Sequence, residues 1–448
     1  MNLCLIIPSF YPATVYGGPI YSIYPACKEV ANLGLTVNVA TTNANGKTKL
    51  NVETGKPVLL EENLSVHYYN ETIIGRLSFP FIFGVKNEIK VSDVVHIQAV
   101  YSVPTPVALF WSKLYHKPIL FSPRGSFNSW ALLQRKSFKI LWLIFLIRPL
   151  VKNIHWHATS EKEKQEILEL FPNAKISVIP NGIYLNQYKF QKISKEEFVN
   201  QFSQTSSLSL RGTVYFDTSG KQSLFAHHST PSLRGTKQSP HHPTPTLSLA
   251  GTIYSNTSGK QSSILAKKVE NVNRIIVSMG RIHKVKAFDV LIKAFGKILI
   301  EYPNSYLFIA GNDDGEKENL IKIIDELNLQ ENVFFTGQLD NERKAMFLGN
   351  ADVFALASHT ENFGNVYAEA LACGTPIVAS TNTPWQEVEK AGCGRWVPNT
   401  VNETMVAMLD LLNRDREILR INSFKFAEKF EWKNISQSFI QTYNSISK

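Results

Sequence analysis

The chain has 448 residues, of which 44% are apolar and 19% are charged, so it can bury sizeable cores and is not a globally disordered protein. Lys and Arg number 47 against 37 Asp and Glu, and the net charge of +10 suits anionic partners such as phosphates, acidic membranes or nucleic acid without choosing between them. Four scattered cysteines without a CxxC pair exclude a disulfide framework, argue against a zinc site and favour a reducing compartment.

The first ten residues carry no basic segment, and their apolar run is too short for a signal peptide. No stretch of the chain reaches the roughly 18–20 apolar residues that a membrane-spanning helix needs. We therefore expect a cytoplasmic protein.

Residues 1–200 are predicted to form a first domain of alternating strands and helices. Ser160 opens one of the helices with a capping box, because Glu163 lies three residues on. Apolar strands that alternate with helices indicate a parallel sheet covered on both faces. The predicted strands are Leu3–Pro8, Thr36–Thr41, Val94–Ile97, Pro118–Phe121, Ile154–Ala158 and Ile176–Ile179, and the helices are Pro19–Leu33, Pro104–Tyr115 and Ser160–Leu170.

One apolar segment of this domain, Ile140–Leu150, has basic residues on both sides. It is either an interfacial helix that touches anionic lipid or a helix buried in an ordinary core. Its apolar residues are nearly continuous and not confined to one face, which favours the buried interpretation.

Residues 203–266 differ in composition from the rest of the chain. The segment Ser209–Ser223 is echoed by Ser248–Ser262, 39 residues later, and Ser232–Ser239 is a partial third copy. So short a Ser-, Thr-, Gly- and Pro-rich repeat has little to bury, which predicts a disordered insertion. It carries five basic residues and one acidic residue, so removing it lowers the net charge by 4, from +10 to +6.

The strand and helix rhythm restarts at Arg274 and predicts a second α/β domain over residues 270–430. A last helix, residues 431–448, is expected to pack back on the first domain. Ligands of doubly wound sheets bind beyond the carboxyl ends of the strands, so two facing domains predict a site in the cleft between them. The predicted strands are Ile275–Met279, Tyr306–Ala310, Val333–Phe335, Val353–Ala355 and Ile377–Ala379, and the helices are Phe288–Tyr302, Gly315–Leu327, Glu342–Asn350 and Val366–Cys373.

The strongest motif spans His359–Ser380 and contains an E-x7-E pair, Glu361 and Glu369. The loop between them opens a helix, whose free N–H groups and positive dipole suit a diphosphate. Either glutamate could accept hydrogen bonds from sugar or ribose hydroxyls. The alternative is a charged loop and a solvated glutamate, which the apolar continuation of the motif weakens. The loop residues are Asn362, Phe363, Gly364 and Asn365.

A second motif, Ser278–Phe295, places Arg281 and Lys286 after a buried strand. Together they could neutralise a leaving diphosphate. Alone, this segment is equally compatible with an ordinary basic loop.

Three weaker candidates lie in the first domain. Gly18 opens a helix after the first strand and is a candidate phosphate or acceptor contact, although such turns are more often structural. His96 and Arg124 lie at strand ends, where they could orient a substrate hydroxyl and hold an anionic group. His157 is expected to pack behind them.

These motifs, in this order and together with Ile179–Gly182, resemble the family 4 glycosyltransferases of the GT-B fold, and most closely the branch that assembles bacterial surface polysaccharides. The resemblance implies two Rossmann-like domains, a nucleotide-diphosphate-sugar as co-substrate, no further cofactor, no metal, and transfer with retention. It implies that Glu361 contacts the donor sugar, Glu369 the ribose, and Arg281 with Lys286 the diphosphate. Asn181 belongs to the same implied donor site.

The chain departs from the family pattern at three positions. Ala287 stands where a glycine usually follows Lys286, and Gln98 where a second histidine often follows His96. Arg124 stands where many relatives have histidine, although the polysaccharide branch commonly has the sequence Pro-Arg-Gly there. The repeat insertion has no counterpart.

The resemblance therefore implies a glycosyltransferase, and since the residues offer no convincing base, we expect no enzymic nucleophile and a departing phosphate oxygen that takes the acceptor proton. A saccharide or lipid-linked acceptor is expected, which together with the basic and apolar segment 137–152 predicts a peripheral position on the inner face of the plasma membrane. A sugar-nucleotide epimerase of the same architecture and a catalytically impaired nucleotide-binding protein remain alternatives. A nucleic-acid partner is poorly supported, because the basic residues form no aromatic-interleaved stripe.

Overall fold

A computed structural model of the chain describes residues 1–73, 77–133, 136–209 and 274–448, with two short strands at 215–216 and 222–223. The described residues form two α/β lobes, each built on a parallel sheet. Most of the repeat segment lies outside the described residues, between the last helix before it and the first strand of the C-terminal lobe. The predicted GT-B architecture, with an insertion at the domain link, is confirmed.

The N-terminal lobe contains an eight-stranded sheet in the order β8-β7-β6-β5-β1-β2-β4-β3. All neighbours are parallel except β3 and β4. Leu3 in β1 lies beside both Val37 and Val94, so β1 is central and buried on both faces. The strands are β1 Asn2–Ser9, β2 Thr36–Thr42, β3 Pro57–Glu61, β4 Leu64–Tyr69, β5 Val94–Gln98, β6 Ile119–Ser122, β7 His155–Ala158 and β8 Lys175–Val178.

Helices cover both faces of this sheet. The predicted N-cap is confirmed, because Ser160 Oγ accepts a hydrogen bond from the Glu163 amide at 3.1 Å. The reciprocal half of the predicted capping box is not formed, because the Glu163 carboxylate accepts from the Thr159 and Gly125 amides. The helices are α1 Gly18–Asn32, α2 Phe79–Gly84, α3 Lys86–Val91, α4 Pro104–Leu114, α5 Ser129–Leu133, α6 Lys136–Trp142 and α7 Glu161–Leu170.

Helix α6 continues into a π-helical turn, Leu143–Ile147. Leu143 and Ile147 are buried, but most apolar side chains around them are exposed. The interpretation of this segment as a buried helix is therefore wrong for its outer face. We call the exposed residues the apolar face; they are Leu133, Phe138, Ile140, Leu141, Ile144, Phe145 and Leu146.

The C-terminal lobe contains six parallel strands in the order β11-β10-β9-β12-β13-β14. In chain order this is 3-2-1-4-5-6, the doubly wound arrangement whose strand order reverses between β9 and β12. The strands are β9 Ile275–Met279, β10 Tyr306–Ala310, β11 Val333–Gly337, β12 Val353–Leu356, β13 Ile377–Ser380 and β14 Gly394–Val397. The helices after α8, Lys195–Ser209, are α9 Phe288–Ile298, α10 Lys317–Glu326, α11 Asn341–Gly349, α12 Asn365–Ala372, α13 Glu387–Lys390, α14 Val401–Leu412, α15 Arg416–Ala427 and α16 Trp432–Ile446.

The chain crosses between the lobes twice. Phe198 and Phe202 of α8 pack against Phe308 and Phe347 in the C-terminal core, so the first crossing comes before residue 200, where the sequence placed the boundary. Helix α16 returns to the N-terminal lobe and buries one face in the cluster that contains β1.

The two crossings are hydrogen-bonded to each other. The Ile183 amide donates to the Phe430 carbonyl at 2.7 Å, and the Trp432 amide donates to the Ile183 carbonyl at 3.0 Å. Gly182 leaves room for this contact, because a Cβ there would lie 2.3 Å from the Trp432 ring. The glycine of the Ile179–Gly182 motif is thus explained by packing.

Asp352 joins the two sides of the insertion. Its Oδ2 accepts hydrogen bonds from Lys195 Nζ, at the start of α8, at 2.8 Å and from the Ile275 amide, at the start of β9, at 2.7 Å. Its Oδ1 pairs with Arg416 Nη1 at 3.1 Å. The nearly buried carboxylate therefore holds both flanks of the repeat segment in place.

Ala287 occupies the left-handed region, with φ +50° and ψ +44°, although it carries a Cβ. This conformation costs a non-glycine residue about 1 kcal/mol.

We expect Ala287→Gly to raise the free energy of unfolding by about 1 kcal/mol, measured by urea denaturation. Ala294→Gly, inside α9, is the control and should lower it by a similar or larger amount. A destabilised Ala287→Gly variant would contradict this account of the backbone.

Candidate functional site

The candidate site lies where the strand order of the C-terminal sheet reverses. The carboxyl ends of β9 and β12 lead into the loops that carry Lys286 and Glu361. Loops that leave neighbouring parallel strands at the same end emerge together, and ligands of such sheets bind there. The topology therefore explains why residues 75 positions apart in the chain come into contact.

Lys286 and Glu361 form an ion pair with 2.5 Å between Lys286 Nζ and Glu361 Oε1. Ser358 Oγ donates to the same carboxylate oxygen at 2.8 Å. Only 15% of the lysine and 12% of the glutamate side chain is exposed, so the pair is little screened by solvent. Gly280 borders the lysine, since a Cβ there would lie 3.3 Å from Lys286 Cε.

A second ion pair, Lys344 with Glu369, lies on the neighbouring helices α11 and α12. Lys344 Nζ is 3.0 Å from Glu369 Oε1. Burial and the Glu369 carboxylate raise the pKa of the nearby Tyr188 hydroxyl well above its usual value. Glu369 is the fifth residue of α12 and lies in its second turn. The sequence contained no signal for Lys344 or Tyr188.

The loop between the two glutamates is anchored by an aromatic cluster. Phe363 is buried against Trp385 and Phe430, and its carbonyl accepts from Trp385 Nε1 at 2.7 Å. Gly364 has φ +80°, a conformation that favours glycine, and Asn365 begins α12. The anchor holds the N-terminus of α12 at the edge of the cleft, where its free amides can face an anion.

Arg281 does not join the Lys286–Glu361 pair. Its side chain is 64% exposed, and its Nη1 pairs with Asp314 Oδ2 at 2.5 Å. Asp314 lies in the loop after the next strand, β10. Only Nη1 of the guanidinium is used in this pair, and the joint contact of Arg281 and Lys286 with a diphosphate stays a prediction.

A chain of hydrogen bonds runs from α16 through the N-terminal lobe to the cleft. Its members are, in order, Tyr443, His96, Gln98, Arg124, Asn181 and Asn365. The five successive donor–acceptor distances are 2.8, 2.8, 2.7, 2.8 and 2.9 Å. The last bond, from Asn181 Nδ2 to Asn365 Oδ1, crosses to the first residue of α12. The structure thus brings together four residues that the sequence placed in the site: His96, Arg124, Asn181 and Asn365.

The donors and acceptors of this chain follow from Arg124, which can only donate. Because Arg124 Nε donates to Gln98 Oε1, the Gln98 amide nitrogen faces His96 Nε2, which must accept. The proton of the neutral His96 ring therefore lies on Nδ1, facing the Tyr443 oxygen. Gln98 is suited to this place because one amide supplies both an acceptor and a donor.

His96 lies behind the cleft and not at its surface. It is 2% exposed, and burial lowers its pKa well below the usual value. Both ring nitrogens are occupied by protein groups. The predicted contact of His96 with a substrate hydroxyl is therefore corrected, because the side chain supports Gln98 and Arg124 from the interior.

His157 is packed behind the cleft, as its position suggested. It contacts Ser122 Oγ through Nδ1 at 2.7 Å and the Ile179 carbonyl through Nε2 at 2.8 Å. Burial, with a smaller contribution from Arg124, lowers its pKa to about 3. The ring is therefore neutral, and Nε2 carries the proton donated to the carbonyl.

Gly18 is exposed at the start of α1. A Cβ there would meet no atom within 4 Å. None of the hydrogen bonds found between the lobes in the described part of the chain includes Gly18, so it stays a prediction.

Three further contacts that the sequence did not reveal connect the lobes. The rings of Trp130 and His359 stack with centroids 5.5 Å apart and planes at 6°. Lys162 Nζ donates to the Asn382 carbonyl, and Ser160 Oγ donates to a carbonyl of the Glu361–Glu369 loop at 3.3 Å. The cleft is closed on the side where α7 faces this loop.

Two family models match the chain, one in each lobe. The model described as Glycosyltransferase Family 4 matches residues 16–187, and the model described as Glycosyl transferases group 1 matches residues 261–427. A D-inositol 3-phosphate glycosyltransferase of Mycolicibacterium smegmatis is 27% identical over 177 residues, which cover 38% of this chain and 40% of the relative. The chain thus matches less than half the length of that relative.

Solved structures resemble the whole chain at low sequence identity. The Anabaena protein HepE, in complex with UDP and glucose, matches with a TM-score of 0.63 and 18% identity over 99% of this chain and 100% of HepE. WaaG, a glycosyltransferase involved in lipopolysaccharide biosynthesis, matches with a TM-score of 0.60 and 13% identity over 99% of both chains. At such identities the likeness shows the shared fold.

Glu166 lies one turn after Lys162 on α7, the helix that closes one side of the cleft. Its carboxyl group tests how burial there affects ionisation. Burial raises the pKa of Glu166 to about 7. The folded state favours the protonated carboxyl of Glu166. Its contribution to the free energy of unfolding is therefore fully present below the pKa of the unfolded state and is lost as the pH rises through 7. We expect Glu166→Gln to be more stable than the parent at pH 8, with the difference shrinking toward pH 5.

The measurement is the urea midpoint at both pH values. Glu161→Gln, at the exposed start of the same helix, serves as the control, because Glu161 is not among the charges that shift the pKa of Glu166. Equal midpoint differences at pH 5 and pH 8 would show that Glu166 does not titrate as described.

Proposed function

Because the chain belongs to the family 4 glycosyltransferases, we propose that it transfers a sugar from a nucleotide-diphosphate-sugar to a hydroxyl of a saccharide or lipid-linked acceptor in cell-surface polysaccharide synthesis. The observation that carries this proposal is the Lys286–Glu361 pair beside the N-terminus of α12. A mostly buried cation and free helix amides are suited to a diphosphate, and an adjacent carboxylate is suited to the hydroxyls of a donor sugar.

Donor binding would rearrange the ion pair and not merely add to it. Lys286 now neutralises Glu361, so an incoming diphosphate competes with that carboxylate for the ammonium group. Glu361 would keep its hydrogen bond from Ser358 while accepting from sugar hydroxyls. Glu369, held by Lys344, is placed to accept from ribose hydroxyls. HepE, a solved protein of the same fold, is in complex with UDP, which supports a nucleotide donor.

The proposed reaction breaks the bond between the anomeric carbon and the diphosphate oxygen and forms a bond to the acceptor oxygen on the same face. The acceptor proton passes to the departing phosphate oxygen, so no enzymic nucleophile or metal is required. Lys286 and the α12 N-terminus stabilise the charge that develops on the leaving group. Closure of the cleft aligns the acceptor hydroxyl and excludes water.

Two other functions give different outcomes with the same purified protein. An epimerase would convert the nucleotide sugar without any acceptor. A catalytically impaired protein would bind nucleotide and transfer nothing to any acceptor extract. Screening nucleotide sugars for acceptor-dependent release of nucleotide diphosphate separates these functions.

We expect Lys286→Ala and Glu369→Ala each to lower kcat/KM for transfer by about 100-fold, because each removes a charged donor contact worth about 1.5–3 kcal/mol or more in a solvent-excluded site. Lys293→Ala, on the exposed surface of α9, is the control and should leave turnover unchanged. Near-normal transfer by both site variants would reject the assignment of the donor site.

We further propose that the apolar face binds an anionic membrane surface, where lipid-linked acceptors would be found. No helix among the described residues is long and apolar enough to cross a membrane. The apolar face includes Phe145 at 69% and Leu141 at 54% exposure, and Arg148 and Lys152 follow it in sequence. Apolar side chains flanked by cations are the pattern that binds an anionic interface.

The double variant Leu141→Asp with Phe145→Asp should lose cosedimentation with phosphatidylglycerol vesicles at low salt. Ile300→Asp is the matched control, because Ile300 is 86% exposed on the other lobe and should not affect vesicle binding. If the parent protein stays in the supernatant with these vesicles, the membrane proposal fails.

A further inference from the structure

Arg124 differs from the other cations of the candidate site in how its charge is compensated. Lys286 is paired with Glu361, Lys344 with Glu369, and Arg281 with Asp314. The guanidinium of Arg124 instead donates to two neutral amide oxygens, on Gln98 at 2.7 Å and Asn181 at 2.8 Å. Within the described residues it forms no ion pair with a carboxylate.

Glu163 is the acidic residue near Arg124, and its carboxylate is already occupied. Its Oε1 accepts from the Gly125 amide at 2.6 Å, and its Oε2 accepts from the Thr159 amide and hydroxyl at 2.7 and 2.8 Å. The carboxylate thus fixes the backbone beside Arg124 and does not pair with the guanidinium. Much of the positive charge of Arg124 remains available to a ligand.

The backbone at Arg124 is held in a costly conformation. Its φ is +54°, in the left-handed region, and Gly125 follows with φ +72°. A left-handed non-glycine residue persists only where its surroundings impose it, and such residues concentrate at functional sites. Here the Glu163 bond to Gly125 and the two amide contacts of the guanidinium supply that constraint.

The remaining N–H groups of Arg124 are free to bind a ligand. Of its five donors, one on Nε and one on Nη1 are used, and Nη2 has no partner among the described residues. Asn181 connects the guanidinium to Asn365 at the start of α12, the helix end proposed to bind the diphosphate. Arg124 therefore reaches the same place from the opposite lobe.

We propose that Gln98 and Asn181 are positioning residues that hold Arg124 as an uncompensated cation for a phosphoryl group of the bound donor. The inference rests on the proposed function, because it assigns a further contact to the same donor site. Amides are suited to this task, since they orient the guanidinium as a carboxylate would but leave its charge intact. The bond between Asn181 and Asn365 couples this placement to the contact between the lobes.

Gln98→Glu tests the charge argument with little change in shape. The glutamate can still accept from Arg124 Nε but loses the amide N–H that faces His96 Nε2, so a purely structural role predicts a lower melting temperature and unchanged ligand affinity. The proposal predicts instead that the new carboxylate neutralises Arg124 and weakens binding of inorganic pyrophosphate by about 10- to 100-fold, the range for a lost hydrogen bond to a charged group. Asn181→Asp should have the same effect from the other side.

The measurement is calorimetric titration of the full-length protein with pyrophosphate, beside the parent and Lys286→Ala. Weakened binding in Gln98→Glu and Lys286→Ala supports both the inference and the proposed donor site. Weakened binding in Lys286→Ala with parent-like affinity in Gln98→Glu and Asn181→Asp overturns the role of Arg124 and leaves the proposed function standing. Parent-like affinity in all three variants, or no binding by the parent, overturns both.

Discussion

The pairing of the two interlobe crossings is the constraint on which the site depends. Ile183 exchanges backbone hydrogen bonds with Phe430 and Trp432, and Gly182 allows the Trp432 ring to lie against the main chain. This contact fixes where the second lobe starts and where α16 returns to the first. Because ligands of parallel sheets bind at the carboxyl ends of the strands, such a site is shared between lobes only when these ends face each other. Asn181 precedes Ile183 by two residues and donates a hydrogen bond to Asn365 in the other lobe. This bond shows that the carboxyl ends of the strands in the two lobes face each other.

The elements that the sequence predicted well are those with an unbroken apolar pattern. Strands Ile275–Met279 and Tyr306–Ala310 match the prediction to the residue, because a parallel strand covered on both faces must be apolar along its whole length. The edge strand Pro57–Glu61 escaped prediction, since its half-exposed residues resemble a loop. The predicted domain boundary at residue 200 falls inside helix α8, which packs in the C-terminal core, because the sequence does not show against which core this segment is buried.

Site residues could be predicted where a charged side chain follows a strand at the reversal of the sheet order. Lys286 and Glu361 follow the two strands at which the sheet order reverses, so their contact could be anticipated. Lys344 and Tyr188 could not be found, because only tertiary packing brings them to Glu369. His96 was misjudged for a related reason. A polar residue at a strand end is equally compatible with the cleft and with the interior, and the hydrogen bond from His96 Nδ1 to the buried Tyr443 hydroxyl shows that His96 lies in the interior.

Asp352 bears on how such a chain could acquire its repeats. The carboxylate accepts hydrogen bonds from Lys195, which starts α8, and from Ile275, which starts β9. The two ends of the segment between them are therefore held in place whatever its length. The entropy of closing a loop grows only with the logarithm of its length, and each doubling costs about 0.6 kcal/mol. Copies of a short peptide could therefore accumulate at this junction during evolution with little cost to the free energy of folding.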